Sequence, residues 1–259
     1  MISLLEATKP YIHRFKGIRI STRPDAVTYD ILQLLKQYKV TSIELGAQSM
    51  DDAVLLANNR GHNSDCVRVA SKLIKAEGFS LGLQMMTGLY TSSDKSDIYT
   101  ANEFIAIKPD TVRIYPTVIL QNTKLGELFL KGIYKPQTLD SAVNLCAQLI
   151  TKFEESNIKV IRVGLHSSDT MESEILAGAY HPAFKELCEN KIFLNKITDI
   201  LSTKDLKTNS IRIFVAPDAV SKATGQRKSN LTKLKEMRYE ATVATDPTLK
   251  DRQIIIQEG

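Results

Sequence analysis

The sequence predicts an α/β protein: βα units around a parallel sheet or barrel, followed by a small α+β appendage. Three observations predict it. Short β-branched runs alternate with longer segments of helical period, polar residues gather just after the runs, and the texture changes after about residue 205. With 259 residues, 43% hydrophobic and 24% charged, the chain can bury a core without disulfides or metals. The same composition excludes disordered, collagen-like and coiled-coil classes.

Strands are predicted at Gly17–Thr22, Ser42–Gly46, Phe79–Met85, Thr111–Tyr115 and Lys159–Leu165. Helices are predicted over 26–39 (Val27, Ile31, Leu34, Leu35), 64–77 (Val67, Ala70, Ile74) and 138–155 (Leu139, Val143, Leu149, Phe153), where apolar residues recur at helical spacing. Asp51 and Asp52 stand where a helix would start, so capping explains them better than acid–base chemistry. Parallel strands buried under helices should be almost continuously apolar, with polar residues confined to their C-terminal edge. There the sequence offers Ser21, Thr22 and Arg23, then Gln48, Gln84, Arg113 with Thr117, and His166 with Ser167. Ligands of barrels and open α/β sheets bind at that edge. His166 can act as a general acid or base on a small anion beside Arg113, or serve as a structural hydrogen-bonder.

We read 1–200 as the barrel part and 201–259 as the appendage, with Ile211–Val215, a basic helix from Lys228 to Arg238, and strand-like pieces at Ala241–Ala244 and Gln253–Ile256. Net charge is 34 − 29 = +5. Residues 222–238 hold Lys222, Arg227, Lys228, Lys233, Lys235 and Arg238 against Glu236, so this stretch carries an excess as large as the whole chain's. A polyanion partner or a solvated helix face are its two readings. Apolar runs are too short to span a bilayer, and residues 1–17 lack a secretory h-region, so neither a membrane partner nor export is expected. Cys66, Cys146 and Cys188 are odd in number and widely spaced, which predicts a reducing cytoplasm, no disulfide framework and no metal site. There is no GxGxxG opening a helix, GxxxxGK[ST], HExxH or GxSxG.

Taken in order, several segments resemble one family. They are Arg19-Ile20-Ser21-Thr22-Arg23-Pro24-Asp25, Ile43-Glu44-Leu45-Gly46-Ala47-Gln48-Ser49-Met50, Asn59-Arg60-Gly61-His62, Leu83-Gln84-Met85-Met86 and Val112-Arg113-Ile114-Tyr115-Pro116-Thr117-Val118-Ile119. Val160-Ile161-Arg162-Val163-Gly164-Leu165 is similar to an extra strand after the barrel. The family is the radical S-adenosylmethionine superfamily, in the branch of the Elongator catalytic subunit. The resemblance implies a partial barrel in which a [4Fe-4S] cluster binds S-adenosylmethionine and one-electron cleavage yields a 5′-deoxyadenosyl radical. It implies cofactor contacts at Ser21, Thr22, Arg23, Gln48, Arg60 and Gln84, and tRNA or another RNA as partner. The family's CxxxCxxC cluster loop and its glycine-rich second-strand segment are absent from these residues, and Met1 to Phe15 resembles the helix that precedes the family's next strand. Cluster ligands are therefore not expected within this chain. A barrel lacking its first third would expose a strand edge, to be covered by a further N-terminal segment, self-association or a partner. The alternative is a non-catalytic truncated barrel that serves as an RNA-binding module.

Ala223-Thr224-Gly225-Gln226-Arg227-Lys228-Ser229-Asn230-Leu231 resembles the glycine loop of KH domains, with Lys228 in place of the second glycine. This implies RNA contact at Gly225, Gln226, Arg227 and Lys228.

Overall fold

The structure is a computed structural model that describes residues 2–166 and 172–259. In chain order it runs α1 (Ile2–Thr8), β1 (Ile18–Thr22), α2 (Tyr29–Gln37), β2 (Val40–Gln48), α3 (Asp52–Ala57), α4 (Ser64–Ala76), β3 (Ser80–Thr87), α5 (Asp94–Ile107), β4 (Thr111–Pro116), β5 (Val118–Leu120), α6 (Lys124–Leu130), α7 (Leu139–Glu155), β6 (Lys159–Val163) and β7 (Ile175–Gly178). It continues with α8 (Phe184–Thr203), β8 (Ser210–Val215), α9 (Val220–Thr224), α10 (Ser229–Glu236), β9 (Glu240–Thr245) and β10 (Ile254–Glu258). Two compact units result, residues 1–142 with 152–180, and residues 143–151 with 181–259.

In the first unit the strands form a parallel sheet of order β1-β2-β3-β4-β6, each joined to the next through helical segments. The sheet is open among the described residues, and β1 forms one edge. Polar caps fix where the helices begin. Thr28 accepts from Ile31 N, Asp51 from Ala53 N and Val54 N, Asn63 from Cys66 N, and Thr138 from Ser141 N. Asp51 is thus a cap, and Asp52 accepts from Ser64 N at 2.7 Å, which ties α3 to the start of α4. Met1–Phe15 does not form one helix. Pro10 has no amide to donate, and the chain continues past Thr8 as 3-10 turns over Lys9–Arg14.

One sheet face is covered by α2, α4 and α5, with Leu32, Leu35, Ile74 and Phe104 packed onto strand residues such as Ile43, Leu45, Leu81, Leu83, Val112 and Ile114. Those strand side chains alternate with polar ones on the other face. In β4 the burial alternates with period two, and in β1 the two faces likewise differ. The expectation of strands polar only at their C-terminal ends is corrected here: Arg19, Glu44, Thr111 and Arg113 stand early or midway in their strands. The reason is that α2, α4 and α5 pack their apolar side chains against the opposite face.

In the second unit β8 lies between antiparallel β10 and parallel β9. Ile211, Ile213 and Val215 pack with Phe193, Ile197 and Leu201 of α8 and Leu234 of α10. Cys146 and Cys188 are both fully buried in this unit. The Cys146 thiol against Cys188, together with burial, pushes the Cys188 thiol far above its ordinary range.

Candidate functional site

The polar face of the sheet is organised around Glu44. Its carboxylate is only 2% exposed, in the middle of the apolar run Ile43-Glu44-Leu45. A buried charge needs partners. Arg19 donates to Oε2 from the neighbouring strand, Arg113 Nε stands 2.9 Å from the same oxygen, and Ser21 Oγ donates to Oε1 at 3.3 Å. Gly82 makes room for this cluster: a Cβ there would stand 3.1 Å from Arg19 Nη2 and from Thr111 Oγ1. Arg113 also reaches the Tyr115 hydroxyl at 3.4 Å. The result is a lateral strip from β1 through β4 that carries one carboxylate and two guanidiniums.

Toward the strand ends the strip becomes neutral. The pairing of β2 with β3 is irregular between Leu45 and Gln48, and Gln48 takes φ +66° while Ser49 N donates to Ala47 O. This irregularity aims the Gln48 amide at β3, where Gln84 Nε2 donates to its Oε1 at 3.3 Å. Beyond Gln84 on the same face, the Met86 sulfur lies 3.2 Å from Arg60 Nη2. The Asn59–His62 turn holds Arg60 in place. Asn59 and Gly61 have φ of +50° and +73°, and the two ring nitrogens of His62 face Arg60 O and Ala47 O. Arg60 Nε is buried with no hydrogen-bond partner among the described residues, and burial lowers the guanidinium's pKa. Beside it opens a cleft of about 420 Å³ lined by Asn59, Arg60, Met86, Tyr90, Thr117 and Lys124, among others.

Gln48 and Gln84 thus meet directly, Arg60 touches Met86 two residues along the same strand from Gln84, and Ser21 joins the strip through Glu44. Thr22 alternates to the opposite side of β1 from Ser21. Arg23 turns outward and forks onto Asp25 at 2.9 and 2.7 Å, which lowers the Asp25 pKa. His166 is exposed, and Ser167 lies outside the described residues. Sequence reasoning missed Glu44 as the organiser of the strip, although a lone acid inside a buried strand was a usable signal. Arg19 and Met86 carried none, because their partners are set only by sheet register. Among the described residues no group of three or more His, Cys, Asp or Glu side chains is placed to hold a metal ion.

A second cleft of about 380 Å³ is lined by Gly88, Ser93, Asp94, Tyr134 and Gln137 among others. Asp97 is 2% exposed, accepts from Gly88 N at 2.9 Å and pairs with no cation among the described residues. Burial pushes its pKa up to about 7.

Comparisons with known proteins agree with this architecture. The radical SAM superfamily model matches residues 2–103, and the radical SAM C-terminal domain model matches residues 109–193. Elongator complex protein 3 of Dictyostelium discoideum is 30% identical over 209 residues, 79% of this chain and 36% of that protein. The tRNA uridine(34) acetyltransferase of Methanocaldococcus infernus is 30% identical over 139 residues, 51% of this chain and 26% of that protein. A solved structure of M. infernus Elp3 with an N-terminal deletion superposes with TM-score 0.62 at 26% identity, covering 73% of this chain and 42% of that one. The chain spans about a third of the length of the Elongator relatives it matches along most of its own. With the parallel sheet, the ordered segments and both family models in agreement, the chain belongs to the radical SAM superfamily and is a homologue of its Elongator complex protein 3 members.

Proposed function

We propose that this chain carries the S-adenosylmethionine-binding side of a radical enzyme that acts on tRNA. The observation that supports the cofactor reading is Arg60, a half-buried guanidinium with an orphaned Nε beside an open cleft. Leaving such a donor unmet is unfavourable, and a carboxylate meets it bidentately. The residues fit S-adenosylmethionine: Arg60 would take the carboxylate of its amino-acid part, and the Gln48 and Gln84 amides, which share one hydrogen bond, keep further donors and acceptors for hydroxyls. Ser21 would border the ligand from β1 and Arg23 from just beyond it, leaving Asp25 to do so, while Thr22 would reach it only around the end of the strand. Bound beside a reduced iron–sulfur cluster, the cofactor supplies a carbon radical for hydrogen abstraction.

The described residues do not fit the cluster itself. Cys66 lies on α4, Cys146 and Cys188 are buried in the other unit, and the sequence has no CxxxCxxC loop. The cluster's thiolates would have to come from residues other than these 259. The tRNA half rests on the name of the M. infernus relative, a tRNA uridine(34) acetyltransferase.

Calorimetric titration of the purified chain with S-adenosylmethionine tests the cofactor half. Saturable binding is expected, with Arg60→Ala weakening it at least tenfold while the circular dichroism spectrum stays unchanged. Absence of binding, or equal affinity in Arg60→Ala, overturns it. A chain that binds RNA but not S-adenosylmethionine would instead be a non-catalytic RNA-binding module, a second reading favoured by the basic stretch at 222–238.

A further inference from the structure

The loop Gly225–Lys228 joins α9 to α10 between the parallel strands β8 and β9. Its backbone is held in an uncommon shape. Gly225, Arg227 and Lys228 have φ of +79°, +53° and +63°, and a Cβ on Gly225 would stand 2.4 Å from Ser229 Oγ and 2.7 Å from Asn230 N. Non-glycine residues avoid this region unless their surroundings impose it. Here two buried amides impose it. Asn230, 3% exposed, donates to Asn190 O at 2.9 Å, Ala223 O at 3.1 Å and Lys222 O at 3.2 Å. Asn190, 4% exposed, accepts from Gln226 N at 2.9 Å in the orientation that satisfies its neighbours.

This scaffold presents two adjacent exposed cations, Arg227 and Lys228, with Lys235 and Arg238 also exposed nearby in sequence. Among the described residues, Lys233 is the base of this stretch that is ion-paired, with Glu236. A merely solvated basic face needs neither left-handed backbone nor buried amides to hold it. Unpaired cations on a fixed loop keep their charge available and lose little freedom on binding, which suits a polyanion whose charges are regularly spaced.

We propose that the Gly225–Lys228 loop grips the sugar–phosphate backbone of a single-stranded stretch of RNA, with Arg227 and Lys228 each on a phosphate. The choice of RNA among polyanions rests on the tRNA reading above; the loop's geometry does not depend on cofactor binding.

The test is fluorescence anisotropy of the full chain with a labelled 20-nucleotide single-stranded RNA across a KCl series. Arg227→Glu combined with Lys228→Glu should weaken binding at least tenfold. Losing two phosphate contacts should also flatten the slope of log K against log[KCl] by about 1.4, at about 0.7 per contact on a single strand. Lys131→Glu combined with Lys135→Glu, on the first unit, makes the same change in net charge and should leave affinity within twofold. Unchanged affinity and slope in the loop variant overturn the proposal, as does an equal loss in the control pair, which would mean attraction by net charge alone. Competition by polyglutamate as effective as that by unlabelled RNA overturns the assignment to RNA. S-adenosylmethionine binding by the loop variant keeps the two proposals apart: RNA binding lost with cofactor binding intact supports this inference, and wild-type RNA binding without cofactor binding overturns only the cofactor reading.

Discussion

Glu44 in the first unit and Glu189 in the second are both nearly buried glutamates, and both face arginine. Glu189 meets a single guanidinium squarely: Arg252 Nε and Nη2 reach its two oxygens at 2.9 and 2.7 Å, with side-chain exposures of 17% for Arg252 and 11% for Glu189. Glu44 is shared unequally between Arg19 and Arg113, which keep 33% and 27% of their side-chain surface. A matched fork satisfies both groups and anchors α8 to the segment before β10. One carboxylate divided between two guanidiniums leaves N–H donors over on the polar face of the sheet. Asp97 is a third solution, a buried acid held by a backbone amide with no cation among the described residues, and burial raises its pKa. The lesson is that burial of a carboxylate does not by itself mark a functional site.

Four measurements would break or sharpen this contrast. The largest effect is expected at Asp97. Its folded pKa of about 7 lies above the ordinary carboxylate value of 3.8, so the folded state holds the proton more tightly. The stability this contributes is complete below about pH 4 and is lost as pH rises through 7. Asp97→Asn keeps an acceptor for Gly88 N and removes the titration. Urea unfolding should show variant and wild type close at pH 3, with the variant more stable by about 1.5 kcal/mol at pH 5 and by up to about 4 kcal/mol at pH 8. Parallel pH profiles would mean that Asp97 is ionised throughout.

Arg252→Ala leaves Glu189 without its fork and should cost about 3 kcal/mol in thermal unfolding, the low end for buried pairs because both partners keep some exposure. A loss below 1 kcal/mol would make this pair no tighter than a surface one. For Glu44→Gln, a smaller stability loss of about 1–2 kcal/mol is expected, since the solvated arginines lose only part of their compensation. S-adenosylmethionine affinity should change with it, and a variant altered in stability alone would class Glu44 with Glu189. Least of all, Lys233→Ala removes a fully solvent-facing i,i+3 pair with Glu236 and should shift stability by less than about 0.5 kcal/mol.

Most of the fold was legible from periodicity. The five parallel strands and α2, α4 and α7 begin and end within a few residues of the expected positions, because apolar spacing and capping residues such as Asn63 and Thr138 act locally. α5 was not read as a helix, since its Ile98, Ala101, Phe104 and Ile107 do not form one clean stripe, and the antiparallel β5–β7 ladder joins residues more than fifty apart. The polar residues at the strand ends were visible as positions. Their grouping was not, because Glu44 meets Arg19 and Arg113 only through sheet register, and the Gln48–Gln84 contact depends on an irregular strand end that no local pattern announces.

The three thiols give the molecule a built-in clock. Cys66 is partly accessible, whereas Cys146 and Cys188 are sealed inside the second unit, and contact and burial keep the Cys188 thiol protonated. A thiol-specific reagent should therefore modify one position quickly in the native chain and the other two only when that unit opens. The slow phase then times the opening of one unit against the rest, without any introduced label.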